Sequence, residues 1–384
     1  MAIDTCVLEQ KDYIVGMRRY FHAHPEVSLK EFKTSVRIEE ELDKVGIEHT
    51  RVGETGVYAR VVGKKTVEGK TKIVALRADM DALGMDDLKN CDYSSQNPGF
   101  CHACGHDGHT ATLLAAARIL KSMENDFAGE VRFFFQQAEE IGQGARQFVA
   151  AGLLEGVDRI YGQHVTNTLN VGQVGIVAGP LNASCDFFRI DVKGKGAHVS
   201  MPHKGVDALY VASQIVVAVQ SIVARSTDPM ESAGTQYNIV AEEAVLEGTV
   251  RTFLPEVREA TNRRLTDIVE KTAEMLGANA SIVIKNYSNP LINDADATKE
   301  AKLVAQEIVG AENIVTDYPK SMMAEDFADY LPHCKGTFVY FGTHSNKPGT
   351  DRPNHNGYFD IDEEGLLVAC NMFVRYALYA LGTK

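Results

Sequence analysis

The fold class of this chain is decided by Lys72-Ile-Val-Ala-Leu-Arg-Ala-Asp-Met-Asp-Ala-Leu83. The apolar run Lys72–Leu76 is typical of a strand that is buried on both faces. Two carboxylates, Asp79 and Asp81, follow this strand directly and could share one face, since they are two residues apart. The segment therefore predicts a buried strand that ends in a cluster of chemically active groups.

Later segments repeat the pattern of buried strand and helix. Apolar strands are expected at Glu130–Phe135 and Arg159–Gly162, and the Ala- and Leu-rich stretch Thr110–Ser122, which precedes both, predicts a buried helix. Strands that alternate with helices favour a mostly parallel sheet with helices on both faces. We therefore expect an α/β domain.

The pattern changes after Gly179-Pro180. The following segment has the order of a ferredoxin-like βαββαβ domain. It predicts a strand at 187–192, a helix at 207–225, two strands at 235–240 and 244–252, a helix at 255–276 and a strand at 280–285. The α/β pattern resumes after Asn289-Pro290 and closes with a helix. We expect a catalytic α/β domain formed by 1–183 and 293–384, interrupted by an inserted domain at 184–292, a size usual for a domain.

Composition limits the partners of the chain. The formal net charge is −13, which disfavours nucleic acid and anionic membrane surfaces, because both are bound through Lys and Arg. No apolar run reaches the roughly 18 to 20 residues of a membrane helix, and no secretory signal is visible at the start. The expected location is cytoplasmic, with a small molecule as substrate and neither nucleic acid nor membrane as partner.

The densest group of metal-binding residue types is Cys101-His-Ala-Cys-Gly-His-Asp-Gly-His-Thr110. Thiolate and imidazole are preferred ligands of zinc and related ions. Cys104 and His106 would point the same way in an extended segment, and Gly105 permits a tight turn. The alternative is a polar loop whose histidines bind backbone carbonyls.

Four further pieces fall at or near predicted strand ends. They are Glu139-Glu140, His164, His355 and the acids Asp79 and Asp81. Of two adjacent carboxylates, one can bind metal while the other acts as general base on a metal-activated water. Each piece alone has a structural alternative, but ligands bind beyond the carboxyl ends of strands in open α/β sheets. Their shared placement favours one site.

These motifs resemble those of the M20 metallopeptidase and amidohydrolase family. The resemblance spans almost the whole chain and is most specific in His102-Ala-Cys-Gly-His-Asp-Gly-His109. It points to the branch of hippurate hydrolases, auxin-conjugate amidohydrolases and N-acetyl-diaminopimelate deacetylases. Two departures, Gly84 and Gln137 where the family usually has proline, put loop shape and substrate preference in doubt.

The resemblance implies a di-metal site and a set of roles. Glu139 would be the general base, and Asp81 would support the metals. The inserted domain would be a lid and dimerisation module, in which His198 stabilises the oxyanion of a neighbouring subunit. Asn238 and Arg251 would help to hold the substrate carboxylate. The implied metal ligands are Cys104, His106, Glu140, His164 and His355.

The expected activity is hydrolysis of the amide bond of N-acyl-amino acids by a metal-activated water. The expected assembly is a homodimer or a higher homo-oligomer. A carboxypeptidase or dipeptidase of the same family and a metal-binding relative without turnover are the alternatives. A zinc-dependent oxidoreductase would need a glycine fingerprint after a strand, which is only weakly matched. Two divalent ions are expected, zinc or manganese, while cobalt and nickel also suit these ligands.

Overall fold

The structure is a computed structural model that describes residues 1–219, 231–232 and 242–383, with the backbone alone described at 231–232. In chain order, its helices are α1 (Thr5–Leu8), α2 (Lys11–Ala23), α3 (Phe32–Asp43), α4 (His106–Ser122), α5 (Gly144–Ala150), α6 (Ala208–Val219), α7 (Pro255–Met275), α8 (Ala295–Val309) and α9 (Gly365–Leu381). Short 3₁₀ turns lie at Pro202–Lys204, Ala311–Asn313 and Asp326–Asp329.

The strands follow the same order. They are β1 (Glu48–Val52), β2 (Gly56–Lys64), β3 (Ile73–Asp79), β4 (Ala128–Gln136), β5 (Arg159–Asn170), β6 (Val174–Gly175), β7 (Gly179–Asn182), β8 (Cys185–Lys193), β9 (Glu231–Ser232), β10 (Glu243–Val250), β11 (Asn279–Ser288), β12 (Leu291–Asn293), β13 (Ile314–Val315) and β14 (Gly336–His344).

The described residues form two compact units. The first comprises Met1–Leu181, Ile292–Pro319 and Asp326–Lys384, and the second comprises Asn182–Leu291 and Lys320–Glu325. Assignment of Lys320–Glu325 to the second unit has no counterpart in the expected domain boundaries. The inserted domain expected at 184–292 stays a prediction, and so do its roles as lid and dimerisation module.

In the first unit, the described strands form a mixed sheet in the order β1-β2-β4-β3-β5-β14-β6-β13. The centre, β4-β3-β5-β14, is parallel, while at one edge β2 pairs antiparallel with β1 and with β4. The α/β fold class is confirmed, with a parallel centre inside a mixed sheet.

The sheet is covered by apolar helices. Almost every residue of β3 is buried, as expected of a central strand with both faces covered. Helix α4 buries most of its Ala- and Leu-rich length, and the aromatic ring of Tyr161 on β5 stacks on Tyr376 of α9 at 4.6 Å. This core holds the carboxyl ends of β3, β4 and β5 in register, with Asp79 opposite Gln136.

The second unit has the strand order β11-β8-β10-β9, with antiparallel pairing between all described neighbours. With α6 and α7 between the strands, the chain order is βαββαβ, which confirms the ferredoxin-like prediction. The predicted strand at 235–240 and the end of the predicted helix at 207–225 lie outside the described residues. None of the described helices has the length and apolarity required to cross a membrane.

Candidate metal centre

Asp81, just beyond β3, positions the two adjacent glutamates. Its buried carboxylate accepts the backbone N–H of Glu139 and of Glu140, each at 3.1 Å, and the hydroxyl of Ser28 at 2.6 Å. The two glutamates follow β4 in a turn, so the carboxylate fixes the backbone of both at once. Asp81 is therefore bonded to the backbone of the turn, and its expected role in supporting the metals stays a prediction.

Cys104 and His106 meet through a helix start and not through an extended segment. Gly105 has φ +96° and precedes α4, whose first residue is His106. A Cβ at Gly105 would lie 2.4 Å from Cγ2 of Val165, so glycine is required both for the left-handed backbone and for the close approach. The predicted helix at Thr110 thus begins earlier, within the His-rich motif itself.

The ring orientation of His106 leaves one nitrogen for a ligand. Nδ1 donates to the backbone carbonyl of Asp81 at 2.9 Å, so Nε2 is the nitrogen that can bind an ion once it has lost its proton. Nε2 lies 3.9 Å from Oε1 of Glu140. Both of these buried atoms are without a hydrogen-bond partner in the described part of the chain.

His164 on β5 has the same arrangement. Nδ1 donates to the carbonyl of Val165 at 2.7 Å, which leaves Nε2 at 3.4 Å from Sγ of Cys104. Backbone carbonyls that fix the Nδ1–H tautomer are typical partners of metal-binding histidines. His106 and His164 are both oriented in this way before any ion is considered.

His355 closes the cluster from a loop after β14. Its backbone is left-handed, with φ +62°, and its N–H donates to the carbonyl of Ala103 at 2.8 Å. The ring Nε2 lies 3.5 Å from Oε2 of Glu140, and half of the side chain is exposed. This left-handed backbone, uncommon for a residue with a side chain, turns the ring towards the glutamate.

The five predicted ligands are brought together in overlapping groups. Ligand atoms within each group lie within 4.8 Å of one another, and the groups are Cys104 with His106 and His164, Cys104 with Glu140 and His355, and His106 with Glu139 and Glu140. Buried polar atoms are normally paired, so the unpartnered His106 Nε2 and Glu140 Oε1 fit a cation between them. A thiolate, imidazoles and a carboxylate form a donor set suited to zinc or manganese.

Local charge favours a cation at this position. Burial disfavours protonated His106, but the neighbouring acidic groups, first the carboxylate of Asp79, together outweigh burial and raise the pKa of His106 well above its usual value, so its surroundings favour a positive charge there. Burial and the neighbouring ring of His109 lower the pKa of His164 well below its usual value, which keeps this ring neutral. Burial opposes ionisation of Asp81, but hydrogen bonds, first that of His106, lower its pKa, so its carboxylate stays charged.

A buried network behind the ligands was not anticipated as a unit. Asp79 accepts from Nδ1 of His109 at 2.6 Å and from Arg77 at 2.7 Å, and Nε2 of His109 accepts the N–H of Val165 at 3.0 Å. Arg77 also donates to Asp326 at 2.8 Å. The available signal was Arg77 itself, a charged residue within an otherwise apolar strand.

The second unit holds the remaining candidates. His198 is exposed, and its Nδ1 lies 2.8 Å from the hydroxyl of Ser200. Arg251 donates to the carbonyl of Met322 at 2.8 Å. Asn238 lies outside the described residues. The roles inferred for all three residues stay predictions.

Gln137, one of the two departures, is buried beside the acidic turn. Its side-chain amide donates to Oε1 of Gln147 at 2.8 Å and to the carbonyl of Val52 at 3.3 Å. These contacts join the turn to α5 and β1, where proline could make neither hydrogen bond. Ala138, the next residue, has φ +54°, so the turn keeps a left-handed step.

Comparison with known proteins agrees with this geometry. The sequence model of peptidase family M20/M25/M40 matches residues 75–379. The chain is 38% identical to an N-acetyl-L-cysteine deacetylase of Bacillus subtilis over 96% of this chain and 87% of the relative, and 35% identical to an IAA-amino acid hydrolase of Arabidopsis thaliana over 96% and 86%. A crystal structure of a Bacillus subtilis protein, described as a dinuclear metal-binding peptidase from the M20 family, superposes with a TM-score of 0.85 at 34% identity, covering 98% of this chain and all of that one.

Proposed function

This chain belongs to peptidase family M20/M25/M40, and from that premise we propose that it hydrolyses the amide bond of N-acylated amino acids with two divalent ions. The observation that carries the proposal is the convergence of Cys104, His106, Glu140, His164 and His355 beside Glu139. Relatives named as a deacetylase of an N-acetylated amino acid and as an amino acid-conjugate hydrolase support this substrate class.

The five ligands would hold the ions, and zinc or manganese suits their mixture of sulfur, nitrogen and oxygen, with cobalt and nickel as further candidates. When bound, divalent ions supply Lewis acidity, which polarises an amide carbonyl and acidifies a water molecule. Cys104 and Glu140 each belong to two of the ligand groups, so both would contribute to holding the pair of ions.

Glu139 performs the proton transfers. Its backbone N–H is held by Asp81, and its carboxylate lies in one group with His106 and Glu140, so a base stands beside the ligands. The Glu139 carboxylate takes a proton from the attacking water while the water oxygen forms a bond to the carbonyl carbon. The same proton then passes to the leaving nitrogen as the C–N bond breaks, which restores Glu139 for the next cycle.

The second unit would complete the site from outside the ligand cluster. We assign to His198 a hydrogen bond to the oxyanion across a homodimer, and to Asn238 and Arg251 contacts with the substrate carboxylate. His198 is exposed and Arg251 binds a backbone carbonyl, so both can change partner when a substrate is present. A small N-acyl-amino acid carries both groups that these residues would recognise.

The test is a substrate panel with the metal-reconstituted protein. N-acetyl, benzoyl and other aromatic acyl amino acids are assayed with dipeptides, and Glu139→Gln serves as the inactive control. We expect metal-dependent release of the free amino acid from N-acyl substrates. Hydrolysis confined to dipeptides would replace the substrate class with that of a dipeptidase or carboxypeptidase, and no hydrolysis of any substrate would contradict the proposal.

A further inference from the structure

Two buried carboxylates hold three consecutive amides of the acidic turn. Asp81 accepts the N–H of Glu139 and of Glu140, and Glu31 accepts the N–H of Ala138 at 2.9 Å through Oε1. Asp81 belongs to the loop after β3, whereas Glu31 precedes α3, so the two carboxylates reach the turn from separate elements. The turn that carries the general base is therefore fixed at every amide from 138 to 140.

Ala138 needs such a restraint because its backbone is left-handed. With φ +54°, it occupies a region that costs a residue with a Cβ about 1 kcal/mol or more. Its carbonyl accepts the N–H of Gln143 at 3.1 Å and of Gly144 at 3.3 Å, and its N–H points to Glu31. Hydrogen bonds to both backbone groups of Ala138 select this conformation over a relaxed one.

Glu31 is buried without a basic partner. Its side chain is fully buried, Oε2 accepts the hydroxyl of Thr55 at 2.8 Å, and no Lys or Arg within the described ranges forms a salt bridge with it. Burial, and next the negative charge of Asp81, raise the pKa of Glu31 to about 7. A buried carboxylate that only hydroxyl and amide groups satisfy lowers the stability of the fold when charged, so packing alone does not explain it.

We propose that Glu31 is a positioning residue that holds the Ala138 amide and thereby sets the placement of Glu139 and Glu140. The effect on turnover rests on the proposed function, but the effect on the turn does not. Glu31 acts through the backbone of Ala138, whose N–H it accepts, and not by contact with a substrate. The proposed reaction requires the base Glu139 and the ligand Glu140 to keep a fixed spacing. Asp81 and Glu31 together fix the turn that carries both residues.

Substitutions at Glu31 distinguish the effect of its hydrogen-bond acceptor from the effect of its negative charge. Glu31→Ala leaves the Ala138 N–H buried and unpaired, and we expect kcat to fall by about 10- to 100-fold while KM changes less than about threefold. Glu31→Asp keeps a carboxylate but shortens it by one methylene, so it should behave like Glu31→Ala, and it serves if the alanine variant does not fold. Glu31→Gln keeps an oxygen acceptor and should retain kcat within about fivefold.

Glu41→Ala is the matched control. Glu41 is also buried and lies on α3, where its carboxylate accepts from Tyr13 at 3.0 Å and from Lys44 at 2.6 Å. Within the described residues, Glu41 has no hydrogen bond or ion pair with the acidic turn, so its removal should lower stability without lowering kcat. A general loss of helix α3 packing would instead affect both variants alike.

The deciding experiment is hydrogen exchange of the segment 137–140 in the metal-free protein, measured together with kcat. We expect exchange of this segment, relative to that of β3, to speed up by at least about tenfold in Glu31→Ala or Glu31→Asp and to stay unchanged in Glu31→Gln and Glu41→Ala. Unchanged exchange and unchanged kcat in Glu31→Ala and Glu31→Asp would overturn the proposal. Faster exchange with no hydrolysis by the wild type would support the positioning role and contradict the proposed function.

Discussion

The ligand cluster of the first unit and the candidate residues of the second unit differ in how their side chains are held. His106 and His164 are buried, and each ring donates to a backbone carbonyl, at 2.9 Å and 2.7 Å. In the second unit, His198 is exposed beside Ser200, and Arg251 binds the carbonyl of Met322. The fold itself positions the first group, whereas the partners described for His198 and Arg251 belong to their own unit.

The difference separates the chemical step from recognition. Groups held by buried hydrogen bonds keep their geometry with or without substrate, which suits metal binding and proton transfer. Exposed polar side chains can exchange one partner for another, which suits binding of a substrate group. Changes in the first unit should therefore act on kcat and metal content, whereas changes in the second should depend on the substrate.

The largest effect is expected in the first unit. Glu139→Gln removes the base but leaves the ligands and the Asp81 contact with the backbone, so kcat should fall by about 10²- to 10⁴-fold. Metal content, measured by mass spectrometry of the purified protein, should stay at the wild-type level. The exposed Glu155 provides the control, since Glu155→Gln should change neither quantity. A rate within tenfold of the wild type would remove Glu139 from the role of base.

The next effect concerns the second unit. His198→Ala should lower kcat by about 10²- to 10³-fold, which is the usual loss for one oxyanion donor, with metal content unchanged. His203→Ala, an exposed histidine of the same unit, is the control and should leave kcat unchanged.

Subunit mixing sharpens this prediction. If His198 serves a neighbouring subunit, mixed His198→Ala and Glu139→Gln proteins should recover activity that neither has alone. Confirmed subunit exchange without any recovery would place His198 outside the site of its partner.

A smaller effect is expected on the free energy of unfolding, because the charged form of buried Glu31 destabilises the fold. Burial raises the pKa of Glu31 to about 7 from 4.5, so protonation stabilises the folded metal-free protein. This contribution is fully present below about pH 4.5 and is lost as the pH rises through 7, in total roughly 3 kcal/mol. Relative to Glu31→Gln, the wild type should lose stability over that interval, as followed by urea unfolding at pH 4.5 and 8. A pH-independent difference would mean that Glu31 titrates normally.

The smallest expected effect is on substrate binding. Arg251→Ala should raise KM by about tenfold, the value of roughly one charge-assisted hydrogen bond, with little change in kcat. The increase should disappear for substrates whose carboxylate is replaced by an amide. Arg263→Ala on the exposed face of α7 is the control. An equal rise in KM for both kinds of substrate would argue against a carboxylate contact.

Much of this architecture could be predicted because its signals are local. Apolar strands, the βαββαβ order and the Cys101–Thr110 motif each lie in one continuous segment, and the family resemblance linked them. The start of α4 was placed too late, since Thr110 began the recognisable apolar helix while Gly105 allows the helix to begin at His106. An apolar pattern underestimates the length of a helix whose first turn consists of polar residues of a candidate site.

Long-range partners could not be predicted in this way. Arg77 binds Asp326, and Glu31 binds the Ala138 amide, although more than a hundred residues separate each pair. The local sequence pattern does not identify either partner, because a buried charged side chain can pair with a residue from any distant element. The same reason explains why Lys320–Glu325 was not expected in the second unit.

Anomalous X-ray diffraction from crystals of the manganese- or zinc-loaded protein tests the central claim most directly. We expect two peaks per chain, both enclosed by Cys104, His106, Glu140, His164 and His355, with Glu139 beside them. A single peak, or peaks bound by other side chains, would contradict a two-ion site built from these residues.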